Sequence, residues 1–371
     1  MAIIIRSGTL EAAFSEKNGA LVGMRSLKTG WTIHRREELG MSFKLLVPVH
    51  DELRNNPVFG EKQILSSYTA KDSEVCFRWE GVESERAGRL DVNVEITVRA
   101  EDEQLVWYTR IENNSPYIVE SVFSPYIGDF TKPADAEWLK TYIYTYNTAM
   151  EWDLWPRFWQ HEGDHGTDYP TIFGGSNACG TPVCPWFLIR GPKDGLYAGV
   201  KENRPDLVAW GLELRPGYDE SIESFVPAGD EINGHPIHFL FFPVHMCYIQ
   251  PGDSENLTPI ALEAFTGDWH NGVDIYKKWL KTWSNPKKVP EWATEPHSWL
   301  QLHINSPEDE LRLRYSEIPK VAKECADVGI KVLQITGWNK GGQDQNGPCH
   351  HVDERLGTFD DLKNAIDECH K

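Results

Sequence analysis

Trp338, Asn339, Asp344, Asn346, His350, His351 and Asp353 fall within one short stretch, interleaved with Gly341, Gly342 and Gly347. An indole offers a flat apolar face, while amides and carboxylates accept hydroxyl protons. With glycines letting the backbone bend, the set suits a hydroxyl-rich ligand. The competing reading is a long connection whose polar groups satisfy only one another and water, although long loops in compact domains are disproportionately functional. A second stretch, residues 142–185, sets Tyr144, Tyr146, Trp152, Trp155, Phe158, Trp159, Tyr169 and Phe173 among Glu151, Asp153, Arg157, His161, Glu162, Asp164, His165 and Asp168. Rings that stack on C–H faces beside carboxylates that accept hydroxyls are what carbohydrate recognition requires, so Trp152, Trp155 and Trp159 are candidate stacking rings. The same residues would equally serve as glue between domains. His161 and His165 with Asp164 and Asp168 can be drawn as a metal site, but a third strong ligand at a diagnostic spacing is missing, so neither metal nor cofactor is expected.

These loops need elements to hold them. Residues 331–335 form a short β-branched run of the kind that makes a buried parallel strand, and the run leads directly into Gly337-Trp338-Asn339. An earlier strand is expected over residues 299–304. After it, Asn305-Ser306-Pro307-Glu308-Asp309 suits a helix start, with Ser306 as N-cap and Pro307 at the first helical position. Helix continues through residues 317–327 and closes at Gly329, and the next helix runs from Phe359, behind a Thr358 cap, to at least Cys369. Strand, helix, strand, helix is the pattern of a parallel sheet. Upstream, apolar residues at 275, 276, 279, 280 and 283 have helical spacing, and Pro286 and Pro290 mark a linker. Farther upstream, residues 10–14 and 20–24 flank a Lys17-Asn18-Gly19 turn as a hairpin. Strand-like segments follow at 42–47, 74–79, 90–98, 104–111, 118–123, 186–189, 196–200, 208–214 and 237–248, several alternating polar and apolar with period two. No repeat of 20 to 50 residues is visible, so the pattern is an all-β sandwich rather than a propeller or solenoid.

Composition narrows the partners. A chain of 371 residues, 40% hydrophobic and 12% aromatic, has material for two cores, and its formal charge of −19 would repel nucleic-acid phosphates and anionic membrane surfaces. A neutral ligand fits better. The N-terminal apolar run is too short for a secretory signal and no later run reaches transmembrane length, so the sequence reads as a soluble cytoplasmic protein. Seven scattered cysteines without a Cys-x-x-Cys pair read as free thiols rather than a disulfide framework or zinc ribbon.

The opening hairpin, the many-stranded acidic sandwich, Gly267-Asp268-Trp269-His270 leading to Trp279, and Ile335-Thr336-Gly337-Trp338-Asn339 with Gly341-Gly342-Gln343-Asp344, Asp353 and Leu356-Gly357-Thr358 together carry a resemblance. The chain resembles a family of bacterial glycoside-hydrolase-like proteins similar in layout to retaining α-galactosidases. That resemblance implies a galactose-mutarotase-like β-supersandwich over residues 1–265, a helical linker over 266–295, and the start of a TIM barrel over 296–371. It also implies a sugar site at the C-terminal face of the barrel, partly roofed by a sandwich loop, with Trp338, Asn339, Asp344, His350, His351 and Asp353 binding the sugar. Two βα units fall far short of the about 250 residues of a closed eight-fold barrel. The helix ending at Cys369, aligned with its predecessor through their Glu-Cys pairs, is cut in its last turn. The expectation is therefore an N-terminal portion of a glycosidase, its catalytic carboxylates beyond Lys371 and no catalytic residue within the chain. The alternatives are a non-catalytic carbohydrate-binding sandwich module and a structural scaffold.

Overall fold

A computed structural model describes residues 2–53, 55–143, 151–155, 171–173, 184–215, 231–232, 235–236, 238–294, 298–345 and 350–371. The chain divides into two compact units, Met1–Ser284 and Asn285–Lys371.

In the first unit, alternation in sequence becomes alternation in burial. Along Glu74–Ser84 and Gly88–Glu101, Val75, Phe77, Trp79, Val92, Val94 and Ile96 are buried while Arg78 and Asp91 face water. These strands belong to a ten-stranded sheet in the order Glu151–Trp155, Leu139–Tyr142, Trp186–Arg190, Asp194–Val200, Ile260–Thr266, Gln104–Asn113, Gly88–Glu101, Glu74–Ser84, Ser67–Lys71, with Ser254–Asn256 also pairing Gln104–Asn113. A six-stranded sheet runs Thr171–Phe173, Val208–Arg215, His238–His245, Ser121–Phe123, Lys44–Leu46, Pro57–Phe59, and a four-stranded sheet runs Ala2–Arg6, Leu10–Ser15, Leu21–Ser26, Thr32–His34. Every strand pair described in these three sheets is antiparallel.

Aromatic side chains join the sheets face to face. Phe187 of the ten-stranded sheet lies 5.5 Å from Phe241 and 6.1 Å from Trp210 of the six-stranded one, and Phe14 of the four-stranded sheet lies 5.2 Å from Phe77. Each such ring buries a large apolar area, and the offset geometry adds about 0.5–1.5 kcal/mol per pair. The strand His238–His245 is apolar on both sides: Phe239 and Phe241 enter this core, while Leu240, Phe242 and Val244 pack with Leu46, Phe123 and Tyr126 on the opposite face. The helix Trp269–Trp283, capped by Asp268, lays Ile275, Val273 and Tyr276 against Trp186, Leu188, Tyr197 and Phe265 on the ten-stranded sheet. The Trp279 indole N–H donates to the Lys201 carbonyl at 3.0 Å. The segment read as a connector is thus fixed to the sandwich.

His245 sets an acid limit on this unit. It is 3% exposed, its Nε2–H donates to the Ser124 carbonyl at 3.3 Å, and burial, only partly offset by that bond, lowers its pKa from 6.5 to about 4. The unfolded chain then binds a proton between pH 6.5 and 4 that the folded chain does not, so stability is full above this window and falls through it. The loss is expected to reach about 3 kcal/mol by pH 4. Denaturant midpoints of wild type and His245→Gln across pH 4–7 check this; equal pH slopes would contradict it.

The second unit has a two-stranded parallel sheet, Trp299–His303 beside Val332–Thr336, and the helices Ile318–Asp327 and Phe359–Cys369. Thr358 accepts from the Asp361 amide and Asp361 accepts in return, the reciprocal cap that fixes the second helix start. Ile304, Tyr315, Ile318, Leu356, Leu362 and Ala365 form the core. The expected helix start at Ser306 is corrected: Ser306 Oγ accepts from the Glu308 and Glu310 amides in a turn that returns the chain to Ile304, and Asp309 has φ +65°. Ser306 and Pro307 serve a turn here because the same side-chain-to-backbone bonds suit turns and helix caps alike. The first helix instead begins at Ile318, with Pro319 in its first turn. A cavity of about 820 Å³ lies between the two helices and the second strand, lined by Cys325, Ile330, Val332, Ile335, Ile366 and Cys369 among others. Cys76, Cys184, Cys247, Cys325 and Cys369 are free thiols, and no helix among the described residues is long and apolar enough to cross a membrane.

Candidate functional site

Parallel pairing brings two loops together. Trp299 pairs with Val332 and His303 with Thr336, so the strands end level and residues 304–309 emerge beside 337–345. Two glycines let the second loop lie directly on the first. Gly337 has φ +72°, and a β-carbon there would fall on the Asn305 carbonyl oxygen; Gly342 has φ +85°, and its β-carbon would sit 2.6 Å from the Ser306 carbonyl oxygen. The Gln343 amide donates to the Asn305 carbonyl at 3.3 Å, and Gln345 Nε2 donates to the Pro307 carbonyl at 3.1 Å.

A polar framework lies beneath. Tyr315, fully buried, donates its hydroxyl to the Trp338 carbonyl at 2.6 Å and accepts from the Asp353 amide at 3.1 Å. Arg355 holds Asp353 through Nε at 2.9 Å and Nη2 at 2.6 Å, and Asp309 through Nη1 at 2.9 Å and Nη2 at 2.7 Å. Asn305, also fully buried, donates Nδ2 to Asp309 at 2.9 Å. The Arg355 guanidinium first, then the Asn305 amide, hold the Asp309 carboxyl at about 2, and Arg355 likewise keeps Asp353 below the usual carboxylate range. Both carboxylates are therefore fixed anions. Neither fits a general acid, which needs a raised pKa. Among the described residues the buried Asn305 Oδ1 and Gln343 Oε1 have no hydrogen-bond partner.

Above the framework stands an aromatic platform. Trp338 is half-buried, and its ring lies 6.4 Å from that of His350 with 17° between the planes. Residues 338–340 run antiparallel to 351–353: Asn339 bridges Val352, and the Lys340 amide donates to the His351 carbonyl at 2.9 Å. Asp344 is exposed with φ +61°, and His350 and His351 are exposed as well. The expected set thus separates. Trp338, Asn339, His350 and His351 come together on the paired segments, and Asp344 sits in the turn between them. Asp353 is 3% exposed with its carboxylate held by Arg355, so it faces the framework rather than a ligand. Of the second aromatic stretch, Trp152 and Trp155 belong to the strand Glu151–Trp155, paired with Leu139–Tyr142, and Trp159, His161 and His165 lie outside the described residues. Among the described residues no group of three or more His, Cys, Asp or Glu could hold a metal ion. Sequence reading missed Asn305, Asp309, Tyr315 and Arg355. The available signal was Asn-Ser-Pro directly after a strand, which is turn chemistry as much as helix capping.

No known family pattern and no curated protein matches the sequence. Structural neighbours include galactose-mutarotase-like proteins and α-galactosidases. One is the α-N-acetylgalactosaminidase NagBb from Bifidobacterium bifidum: TM-score 0.62 at 14% identity, over 99% of this chain and 57% of that one. At that identity the likeness shows a shared fold, and the chain spans little more than half the length of this neighbour. The α-galactosidase AgaA from Geobacillus stearothermophilus matches at TM-score 0.46 and 10% identity, over 100% of this chain and 55% of that one. A galactose-mutarotase-like protein from Lactobacillus casei matches at TM-score 0.44 and 11% identity, over 71% of this chain and 100% of that one.

Proposed function

We propose that the chain is part of a carbohydrate-acting protein, related in layout to α-galactosidases, and that the strand-end loops of its second unit bind a neutral sugar. In this reading residues 1–265 are the mutarotase-like supersandwich, residues 266–295 the linker, and residues 296–371 the opening βα units of a (β/α)8 barrel. The observation that carries it is the assembly of Trp338, His350, Asn339 and Asp344 beyond the carboxyl ends of two parallel strands, where barrel and other parallel-sheet proteins place their sites. The fold shared with NagBb, whose structure holds GalNAc, supports the choice of ligand class, and the apolar cavity beside the second strand supports further barrel packing there. Trp338 supplies a stacking face, Asn339, Asp344 and His351 supply hydrogen bonds, and Asp353 acts from below. Neither framework carboxylate is assigned a role in glycoside hydrolysis, because Arg355 holds both as anions, which does not suit the acid, and occupies both oxygens of each, which does not suit the nucleophile. A non-catalytic binding role for this chain is the second reading, favoured by that same neutralisation.

The test is calorimetric titration of the chain with N-acetylgalactosamine, galactose and glucose, beside a turnover assay on nitrophenyl α-glycosides. Binding of a galacto-configured sugar without turnover is expected. Trp338→Ala should weaken it at least about tenfold, near 1.4 kcal/mol. No binding of any of the three sugars would overturn the reading, and turnover would overturn the expectation that the chain by itself is not catalytic.

A further inference from the structure

We infer that Arg355 is a positioning residue that fastens the loop after the first parallel strand to the loop after the second, and so sets the place of the Trp338–His350 platform. The inference rests on the function proposed above for the platform's role, and on geometry alone for the fastening. Arg355 presents two donor edges to two carboxylates from different loops: Nη1 and Nη2 to Asp309, Nε and Nη2 to Asp353. A guanidinium is planar and its forks match two carboxylates at once, whereas an ammonium is a point charge with no fixed directions.

Each carboxylate passes the constraint on. Asp309 accepts from the Asn305 amide group, and the Asn305 carbonyl lies under Gly337 and accepts from Gln343. Asp353 donates its backbone amide to the Trp338 carbonyl at 3.2 Å, and the Tyr315 hydroxyl bridges the same two residues. The contacts form a closed circuit through Asn305, Asp309, Arg355, Asp353, Trp338 and Gly337. Arg355 and Asp309 are about half exposed, at 46% and 50%, so that pair adds little to global stability, whereas the Asp353 side chain is 4% exposed and losing Arg355 leaves its buried carboxylate unpaired. Their effect falls on geometry as well: without the fork, loop 337–345 keeps its glycine packing on the first loop but loses the link that fixes Asp353, and with it the Trp338 carbonyl.

The experiment compares wild type with Arg355→Lys and Arg355→Gln as full chains, using Arg312→Lys, whose residue pairs with nearby Glu310, as a control. Hydrogen exchange of peptides over 337–345 and over the strands 299–303 and 332–336 is read alongside thermal melting and sugar affinity. Exchange in 337–345 is expected to rise at least about tenfold in both Arg355 variants and by more than in the strands, with a lowered melting temperature and affinity per folded molecule down at least about tenfold. Unchanged exchange in 337–345, or an equal rise in the strands, would overturn the inference, since the first denies the fastening and the second makes Arg355 merely structural. Raised local exchange with unchanged affinity would uphold the fastening by Arg355 and refute the positioning of the platform. If wild type binds no sugar, the proposed function fails by itself while exchange still decides the fastening.

Discussion

Gly337→Ala should unfold the second unit rather than adjust it. The residue has φ +72°, where an alanine costs about 1–2 kcal/mol before any contact is counted. Its new methyl would also fall on the Asn305 carbonyl oxygen. That oxygen has no room to retreat: its residue is fully buried, and it accepts the Gln343 amide. Strain and clash together are expected to exceed about 3 kcal/mol, the range reserved for backbone violations of this kind. A unit resting on one pair of five-residue strands and a small apolar cluster has little reserve to absorb it. Hydrogen exchange reads the outcome segment by segment: amides of residues 299–303 and 332–336 should lose protection while those of the sandwich keep it. A variant with both units fully protected would show that the loops do not depend on the contact between Gly337 and Asn305.

Replacing Asp344 should do the reverse, leaving the fold and removing the ligand. Asp344 is exposed at φ +61°, a conformation that glycine adopts freely and asparagine tolerates, so Asp344→Gly and Asp344→Asn test the side chain without imposing alanine's strain. A carboxylate accepting sugar hydroxyls contributes about 1.5–3 kcal/mol per charge-assisted bond before ordering costs. Asp344→Gly is expected to weaken sugar binding about 100-fold, near 2.7 kcal/mol, and Asp344→Asn about tenfold, with melting temperatures unchanged. If Asp344 serves only to shape its turn, affinity per folded molecule will be the same in all three proteins. That result would take the turn out of the site.

The sequence disclosed the strands where one face is wet, because there the alternation of side chains is the alternation of burial; Arg89 to Val98 is the plainest case. It also disclosed the helix after Thr358, whose cap is local chemistry. The strand His238–His245 was visible as an apolar run but not as a layer buried on both faces, since burial of the second face is a tertiary fact. At the site, Trp338 and His350 were legible as an aromatic and a histidine near in sequence. The clasp beneath them was not, because Asp309 and Arg355 lie far apart in the chain and meet only when the strands pair in parallel. Asp353 shows the same limit from the other side: a carboxylate in a polar loop reads as a ligand until its arginine is seen.

The strand Ile260–Thr266 lies between Asp194–Val200 and Gln104–Asn113, in the middle of the ten-stranded sheet, and it is the last strand of its unit. On one side, Ser67–Lys71 to Gln104–Asn113 pair successively through short turns; on the other, Leu139–Tyr142 to Asp194–Val200 form a second group, and among the described residues the two groups pair through this strand. A ribosome makes the chain in the opposite order to what the sheet needs. While residues 67–200 are already outside the tunnel, each half-sheet carries a bare edge of unpaired amides and carbonyls facing a gap one strand wide. The sheet becomes continuous only after Thr266 has emerged, and any shortened chain ending before residue 260 leaves that gap permanently open.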